Sequence, residues 1–417
     1  MNTATLPVAP VPLRQDASLI GLIGVAHLIS HFSQLLLPPL FPWLRTEFGV
    51  SYAELGFLMS VFFVVSCVAQ TLSGFFVDRF GPRPVLYAGL ALLALAAFGY
   101  ASSTSYAMLL ACVVIGGLGN GVFHPVDYTL INRKVSGPRL GHAYSVHGIS
   151  GNLGWAVASA LVVPLAMLHS WRVALAVAGC VVLGVLLLCV WQGRRLAAPP
   201  PAASARTQVA QAAHAARSEG ALDFLRIPAV WMCFAFFFIF ATALSVVQAY
   251  APEAARQLHA MPQAWVAICL TAYMVASACG MVVGGFLATD AARSERLVGA
   301  GFGVAAGISL VLGLAPLSAA VVPVLFAGMG LAAGFAGPAR DLLIKRSTPE
   351  HASGRVYGVV YAGLDIGQAV SPLVFGWLMD HQDWRAVFVG LALVQLTLVV
   401  TALRVRHTRR TLVAAAR

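Results

Sequence analysis

Titratable and amide side chains recur at helical spacing inside apolar stretches of this chain. In the first two sets the separations are four and then three residues, which places the members on one face of a helix. The sets are His27, His31 and Gln34; Asn120, His124 and Asp127; His147 and Asn152; and Tyr361 and Asp365. Histidine has an ordinary pKa near 6.5 and exchanges protons across physiological pH. These residues therefore suit proton transfer and the binding of a polar solute.

A structural explanation stays open beside each functional one. His27 could be a core histidine whose hydrogen bonds are satisfied. His124 precedes Pro125 and could satisfy the carbonyl group that a proline leaves free in a helix. Asp127 could pair with Arg133 at the inner end of its stretch. Ionisable groups inside a membrane cost about 2.5–3.5 kcal/mol each at a helix centre, so each needs a partner or a function.

The elements that carry these residues are predicted to be membrane-spanning helices. Hydrophobic residues make up 59% of the 417 residues and charged residues only 10%, whereas soluble domains have about 25% charged residues. A spanning helix needs about 20 mostly apolar residues. Long runs rich in Leu, Ala and Gly favour helices over barrel strands. Twelve such runs are predicted, near 18–42, 53–77, 84–101, 107–132, 141–167, 172–192, 227–250, 263–288, 297–315, 318–344, 355–379 and 385–404. The predicted fold class is an all-α membrane protein.

The chain also contains an internal duplication. A shift of 213 positions superimposes Gly117 on Gly330, Gly154 on Gly367 and Trp171-Arg172 on Trp384-Arg385. A repeat of this length in an apolar chain is typical of transporters with two similar halves around a central site. It predicts a tail at 1–17, a six-helix bundle at 18–192, a linker at 193–225, a second bundle at 226–404 and a tail at 405–417. The linker is rich in Ala, Pro and Arg, and we interpret it as a tether rather than a regulatory segment.

Positive charge is distributed asymmetrically over the predicted loops. Of the 26 Lys and Arg residues, all but four fall on the side of the termini. The four are Arg45, Arg172, Arg256 and Arg385. The positive-inside rule therefore predicts a multi-pass protein of the cell membrane with both termini in the cytoplasm. This placement explains the net charge of +11 without a nucleic-acid partner. Glu253 and Arg256 are expected to be solvated in an outer loop.

Several kinds of chemistry are not expected. All seven cysteines lie inside predicted spans without a CxxC pair, so they are interpreted as packing residues. The histidines are spread over several helices, and no metal site is predicted. Walker, HExxH and GxSxG patterns are absent from the sequence, which argues against an enzyme or direct ATP hydrolysis. No cofactor is expected, and the N-terminus lacks the features of a cleaved signal peptide.

One loop carries a family resemblance. Gly74, Asp78, Arg79, Gly81 and Arg83 join the second and third spans and resemble the G-x-x-x-D-R-x-G-R loop of the major facilitator superfamily. The twelve spans and the repeated Trp-Arg pair agree with this resemblance. It implies two six-helix bundles that alternate access to a central cavity lined by the first and fourth helices of each half. It also implies a monomer in the lipid bilayer.

The same resemblance implies a latch at the cytoplasmic face. Asp78 would cap the start of the eleventh helix and pair with a basic residue of the fourth, for which Arg133 is the candidate. Glycines 74 and 81 would let the helix ends turn tightly and approach their neighbours. Arg340 and Asp341, near the inner end of the tenth span, are a candidate gate pair. Arg79 and Arg83 could instead follow only from the positive-inside rule.

A second resemblance concerns the fourth and fifth spans. The run Gly-Asn-Gly-Val-Phe-His-Pro ends at Pro125, and Gly148-x-x-Gly151-Asn152-x-Gly154 follows. Both are similar to fosmidomycin-resistance-type efflux proteins. The resemblance implies proton-coupled export of a small organic solute, with protons as the coupling ion. Uptake or facilitated diffusion of a small metabolite, with anions among the candidates, remains an alternative, and so does a sensor of the same fold that no longer transports.

Overall fold

The computed structural model describes the backbone of residues 12–197, 226–287, 291–347 and 354–415. Within these ranges it describes the side chains except at 229, 291–295, 340–347, 354–358, 361 and 402–415. The side chains of Arg340, Asp341 and Tyr361 therefore lie outside the described residues, as do most of the linker and both chain ends. Helices account for nearly all of the described chain.

The helices follow one another with short connections. In chain order they are α1 Leu13–Gln34, α2 Phe41–Phe48, α3 Tyr52–Phe80, α4 Pro82–Ser102, α5 Tyr106–Asn120, α6 Phe123–Lys134, α7 Leu140–Leu168, α8 Trp171–Trp191, α9 Gly193–Leu196, α10 Pro228–Ala249, α11 Ala251–Leu258, α12 Ala264–Leu287, α13 Ala291–Leu314, α14 Val322–Ser347, α15 Gly354–Asp380 and α16 Trp384–Ala415.

Local sequence signals set several helix ends. Ser51 and Glu54 form a capping box at the start of α3, which satisfies backbone N–H groups that have no partner within the helix. Gly81 has φ +84° between α3 and α4, a conformation that favours glycine, and Pro82 begins the next helix. A Cβ atom built at Gly74 or at Gly81 would meet no described atom within 4 Å. The expectation that these glycines let helix ends approach their neighbours stays a prediction.

Two predicted spans contain breaks. The first span continues past α1 through a 3-10 turn into α2, and the fourth is divided into α5 and α6 at Gly121 and Val122. The break places Pro125 in the first turn of α6, where no intrahelical hydrogen bond is lost. His124 is therefore not needed to repair the helix, and its Nδ1 atom has no partner in the described chain.

The two halves pack against each other in a pattern that repeats the duplication. Helix α3 packs on α15, and α7 packs on α12. These are the second span on the eleventh and the fifth on the eighth, which the duplication makes equivalent pairs. A Cβ atom at Gly154 would overlap the Leu28 carbonyl oxygen, and one at Gly367 would overlap that of Phe238. Both halves thus use the same close helix contact.

The helices are long enough to cross a bilayer. Eleven helical segments of the described chain have the length and apolar composition of membrane spans. Helix α15, which carries Asp365, Gln368 and Ser371, is not among these eleven. With α15 the fold has twelve spans in two six-helix bundles, which confirms the predicted fold class.

One end of the interface between the halves is closed. We call the membrane face at which α1 begins the N-terminal face, and the other the opposite face. At the opposite face the Asp380 carboxylate accepts hydrogen bonds from the backbone N–H groups of Tyr52 and Ala53, at 2.7 and 2.9 Å. The Tyr250 hydroxyl donates to the Pro372 carbonyl at 3.0 Å and lies 3.3 Å from the Tyr52 carbonyl. These contacts, named the opposite-face seal, join α3 to the second half.

Glu253 and Arg256 were expected to be solvated in an outer loop, but Glu253 is buried and Arg256 is partly buried. Glu253 lies in α11 with only 4% of its surface exposed, and its carboxylate accepts a hydrogen bond from Arg256 at 2.8 Å. Helix α11 packs against α12 and α16, which covers Glu253 and makes the ion pair necessary.

Candidate functional site

A buried carboxylate joins three spans of the first half. Asp127 on α6 has no exposed side-chain surface. The same oxygen, Oδ2, lies 3.0 Å from Nδ1 of His27 on α1 and 3.2 Å from Nε2 of His147 on α7, so that each ring N–H donates to it. Asp127 therefore does not pair with Arg133. Hydrogen bonds from ring nitrogens satisfy Oδ2 of the buried acid, which no arginine reaches.

Two further histidines complete a compact group. The rings of His27 and His147 stack with centroids 3.5 Å apart, and His31 and His124 lie 4.5 and 5.4 Å from His27. We call these four residues with Asp127 the histidine–aspartate cluster. The four histidines come from three different helices, as the sequence indicates, but they lie close together in space because α1, α6 and α7 converge here.

Two glycines of α7 permit this convergence. A Cβ atom at Gly151 would lie 2.8 Å from Cε1 of His31, closer than atoms pack without a shift of the neighbour. A Cβ atom at Gly154 would overlap the Leu28 carbonyl oxygen and lie 3.0 Å from Cβ of His31. The motif Gly148-x-x-Gly151-Asn152-x-Gly154 is thus explained in part by the close approach of α7 to α1.

Substituting Gly154 by alanine tests this packing. The added methyl group must displace α1 backbone, and overpacking of this kind costs about 1–3 kcal/mol. We expect Gly154→Ala to lower the unfolding temperature of the purified protein, measured by intrinsic fluorescence in detergent. Gly184→Ala is the matched control, because Gly184 lies in α8 of the same half with open space beside it. Equal unfolding temperatures for the two variants would contradict the close contact.

An amide network lies next to the cluster. Asn120 accepts a hydrogen bond from Gln34 at 3.0 Å and donates to the Ser66 hydroxyl at 2.8 Å. The Trp155 indole donates to Gln34 at 3.1 Å, and its ring lies 4.3 Å from that of His31. The sequence identified Gln34 and Asn120 but missed Ser66 and Trp155. Trp155 directly follows Gly154, the last residue of the glycine motif. A polar aromatic residue next to that motif was the signal in the sequence that could have identified it.

An aromatic pair connects the cluster to the protein surface. Tyr128 lies 5.2 Å from His147 and 5.7 Å from Tyr144, measured between ring centroids. Tyr144 is 40% exposed and donates a hydrogen bond to Asn132 at 2.8 Å. Tyr128, which the sequence reasoning missed, therefore stands between exposed and buried polar groups. Its position suits passage of water or protons towards the cluster from the N-terminal face.

Several buried polar atoms in the cluster lack hydrogen-bond partners within the described chain. They are both ring nitrogens of His31, Nδ1 of His124 and Oδ1 of Asp127. Buried polar atoms are normally paired, and an unpaired group costs about 1–3 kcal/mol. These atoms therefore mark a position for water, a proton or a polar solute.

The cluster resembles a metal site only loosely. One ligand nitrogen from each of His27, His124 and His147 falls within 4.8 Å of the others. Nitrogens around tetrahedral zinc are about 3.3 Å apart. Asp127 engages ring nitrogens of two of these histidines, and their rings are stacked. The geometry suits proton exchange better than a metal ion, and the absence of a metal stays a prediction.

Asn152 and Asp365 lie elsewhere, where the two halves meet. The Asn152 amide donates to Sδ of Met281 on α12 at 3.0 Å. The Asp365 side chain on α15 interacts with Cys67 on α3. Asp365 is only partly buried, whereas Asp127 is fully buried.

The residues of the predicted latch are also located. Arg133 Nη2 lies 3.5 Å from Asp78 Oδ1 at the N-terminal face, and Asp78 is 73% exposed, so this ion pair contributes little energy in this state. The Arg79 guanidinium lies over the Phe80 ring at 5.2 Å. The latch itself stays a prediction, because side chains 354–358 at the start of α15 lie outside the described residues.

These features define a class of protein. Two equivalent helical bundles enclose buried polar groups that the bilayer alone would not tolerate, and a seal closes one end of their interface. This is the construction of a transporter that exposes its site to each side of a membrane in turn. Residues 23–338 and 314–416 match the Major Facilitator Superfamily, and the chain belongs to this superfamily. It is therefore a multi-pass membrane transporter and not an enzyme.

Individual relatives agree with this assignment. The Fosmidomycin resistance protein of Escherichia coli is 27% identical over 397 residues, which cover 90% of this chain and 89% of that protein. The uncharacterized MFS-type transporter YfnC of Bacillus subtilis is 30% identical over 180 residues, less than half of either chain, at 42% and 43%. A bacterial homolog of the human lysosomal transporter Spinster, solved in an inward-facing and occupied conformation, superimposes with a TM-score of 0.72 at 14% identity. That superposition covers 95% of this chain and 96% of the other, and it shows the fold alone.

Proposed function

We propose that this transporter exports a small organic solute across the inner membrane in exchange for protons. The observation that carries the proposal is Asp127, fully buried and hydrogen-bonded by His27 and His147. An acid inside a membrane protein is costly and commonly marks a proton or ion pathway. Similarity to the Fosmidomycin resistance protein along nearly the whole chain supports export as the direction.

Proton binding and solute binding would use adjacent groups. Asp127 and its two histidine partners hold the proton, because together they offer one acid and two bases within hydrogen-bond distance. The unpaired His31 ring and the Trp155 face, 4.3 Å apart, offer polar and aromatic contacts to a solute. The His27 ring lies between them and Asp127. Protonation of the cluster and occupation of the solute position would therefore oppose each other through direct contact, as exchange requires.

The closed end of the interface identifies the step of the transport cycle at which the solute would be loaded. Hydrogen bonds from Tyr250 and to Asp380 close the opposite face. The positive-inside rule predicts that the N-terminal face is cytoplasmic. The described state then corresponds to one in which an exporter takes up its solute from the cytoplasm. Breaking the opposite-face seal would release the solute outside.

A reconstituted assay tests the exchange. The purified protein is placed in vesicles with a pH-sensitive dye inside and a stable pH gradient, and fosmidomycin is the first probe. Adding the probe on one side should drive protons towards that side, against its own movement, because each proton replaces a solute molecule. Proton movement in the same direction as the probe would contradict export and favour uptake. A chain that exchanges neither fosmidomycin nor the labelled organic acids sulfoacetate and niacin would favour the sensor alternative.

A further inference from the structure

A second polar site lies outside the transport pathway, at the N-terminal face. A groove of about 870 Å³ opens between the start of α4 and the junction of α8 with α9. Three arginines line it, Arg83, Arg194 and Arg195, and none of its ten lining residues is acidic. We propose that this groove binds the phosphate headgroup of an anionic phospholipid whose acyl chains lie along the neighbouring apolar side chains.

The floor of the groove is rigid. The Tyr87 hydroxyl donates to the Cys189 carbonyl at 2.9 Å, which joins α4 to α8. Gly193 sits against Tyr87 so closely that a Cβ atom there would lie 2.7 Å from the hydroxyl oxygen. Lys134 donates to the carbonyls of Arg195 and Ala197, at 2.6 and 2.8 Å, and so holds α9 in place. A headgroup would meet a preformed site.

The positive charge of the groove and its position between membrane helices favour a lipid headgroup as the ligand. Guanidinium groups bind phosphate in a planar, two-pronged arrangement, and basic pockets between membrane helices bind anionic headgroups. All three arginines are exposed. Arg195 already donates to the Ser18 hydroxyl, so a headgroup would be bound chiefly by Arg83 and Arg194. The positive-inside rule explains arginines at this face, but it does not explain why three surround one groove.

Apolar surface continues directly from the arginines. Trp191 is 78% exposed, and Phe80 and Val190 are 57% and 51% exposed. They stand where spanning helices end, and tryptophan is enriched at this level of the bilayer. A soluble phosphate would gain nothing from these side chains, whereas a phospholipid would cover them. The adjacent residues 198–225 contain two acids, Glu219 and Asp223, and two arginines, so they offer no net negative charge to fill the groove.

Lipid binding to the full-length protein tests the proposal. Native mass spectrometry would compare dioleoylphosphatidylglycerol with zwitterionic dioleoylphosphatidylcholine. We expect the wild type to retain the anionic lipid preferentially, and Arg83→Gln/Arg194→Gln to bind it about 30-fold more weakly. Arg14→Gln/Arg296→Gln is the matched control, because it removes two exposed charges from the same face outside the groove. Unfolding temperatures of all variants establish that they are folded.

Each outcome decides the proposal. Loss of phosphatidylglycerol in the groove variant alone supports it. Equal binding by the groove variant and the wild type overturns it, and so does an equal loss in the control variant. Millimolar inorganic phosphate should not displace the lipid, because phosphate lacks acyl chains. Full displacement would assign the groove to a soluble anion and would also overturn the proposal.

Discussion

Replacing Asp127 by asparagine is expected to abolish the link between solute and proton movement. Asparagine keeps the shape of the side chain but carries no charge and binds no proton. One proton moving through about 150 mV supplies roughly 3.5 kcal/mol, enough to sustain a solute gradient of about 300-fold. In vesicles with an imposed proton gradient, Asp127→Asn should therefore lower the steady-state solute ratio to about 1. Exchange of labelled for unlabelled solute, which requires no net proton movement, should persist.

Two other acids make this result specific. Asp16 is a buried acid of the same half, where it accepts hydrogen bonds from Ser136 and Arg139 at 2.5 and 2.8 Å. Asp16→Asn should leave the solute gradient intact. Asp365→Asn tests the other acid that the sequence analysis placed among the candidate site residues. A wild-type gradient in Asp127→Asn together with a lost gradient in Asp365→Asn would move the proton site to the second half and refute our assignment.

Replacing Asp380 by asparagine should open the opposite face. Its carboxylate accepts two backbone hydrogen bonds at the first turn of α3, where a helix end favours negative charge. Hydrogen bonds to charged groups contribute about 1.5–3 kcal/mol each, and asparagine retains one neutral acceptor. A loss of about 2 kcal/mol would shift the equilibrium between closed and open faces about 30-fold. Spin labels at Thr104 and Ser318, in a background without the native cysteines, should report a new, longer distance across this face.

A neighbouring acid provides the control for this experiment. Asp383 lies three residues beyond Asp380, and its carboxylate accepts a hydrogen bond from the Ala386 N–H at 3.1 Å within its own half. Asp383→Asn removes the same charge from the same face without touching α3. We expect it to keep the wild-type distance distribution. If Asp380→Asn also kept that distribution, the seal would not depend on Asp380.

The duplication shows why the seal could not be predicted from sequence. The 213-residue shift places Asp380 opposite Met167 and Tyr52 opposite Trp265, so the repeat gives no sign of a carboxylate at a helix end. The loop from Gly74 to Arg83 instead predicted a latch at the other face of the membrane. The Asp380 carboxylate of α15 can cap the start of α3 only when the two halves are correctly positioned against each other. That position is set by many helix contacts rather than by a local pattern.

The histidine–aspartate cluster, too, could be predicted from the sequence only in part. Spacing alone placed His27 and His31 on one helix face, and Asn120, His124 and Asp127 on another. It did not indicate that His147 stacks on His27, or that the break at Gly121 turns Asp127 away from Arg133. Such contacts depend on the rotation of α1, α6 and α7 about their axes. Glycine contacts deep between these helices fix that rotation.

Composition, periodicity and duplication determined that this chain crosses a membrane twelve times in two similar halves. The length of the apolar runs and the recurring Gly and Trp-Arg positions can be read locally from the sequence. The bilayer enforces a helix wherever a long apolar run occurs. Only the tertiary structure decided which polar groups meet. It gathered one acid and four histidines from three helices of a single half, and it closed one end of the interface between the halves. The reason is that helix rotation and approach are settled by side-chain volumes across contacts far apart in the sequence.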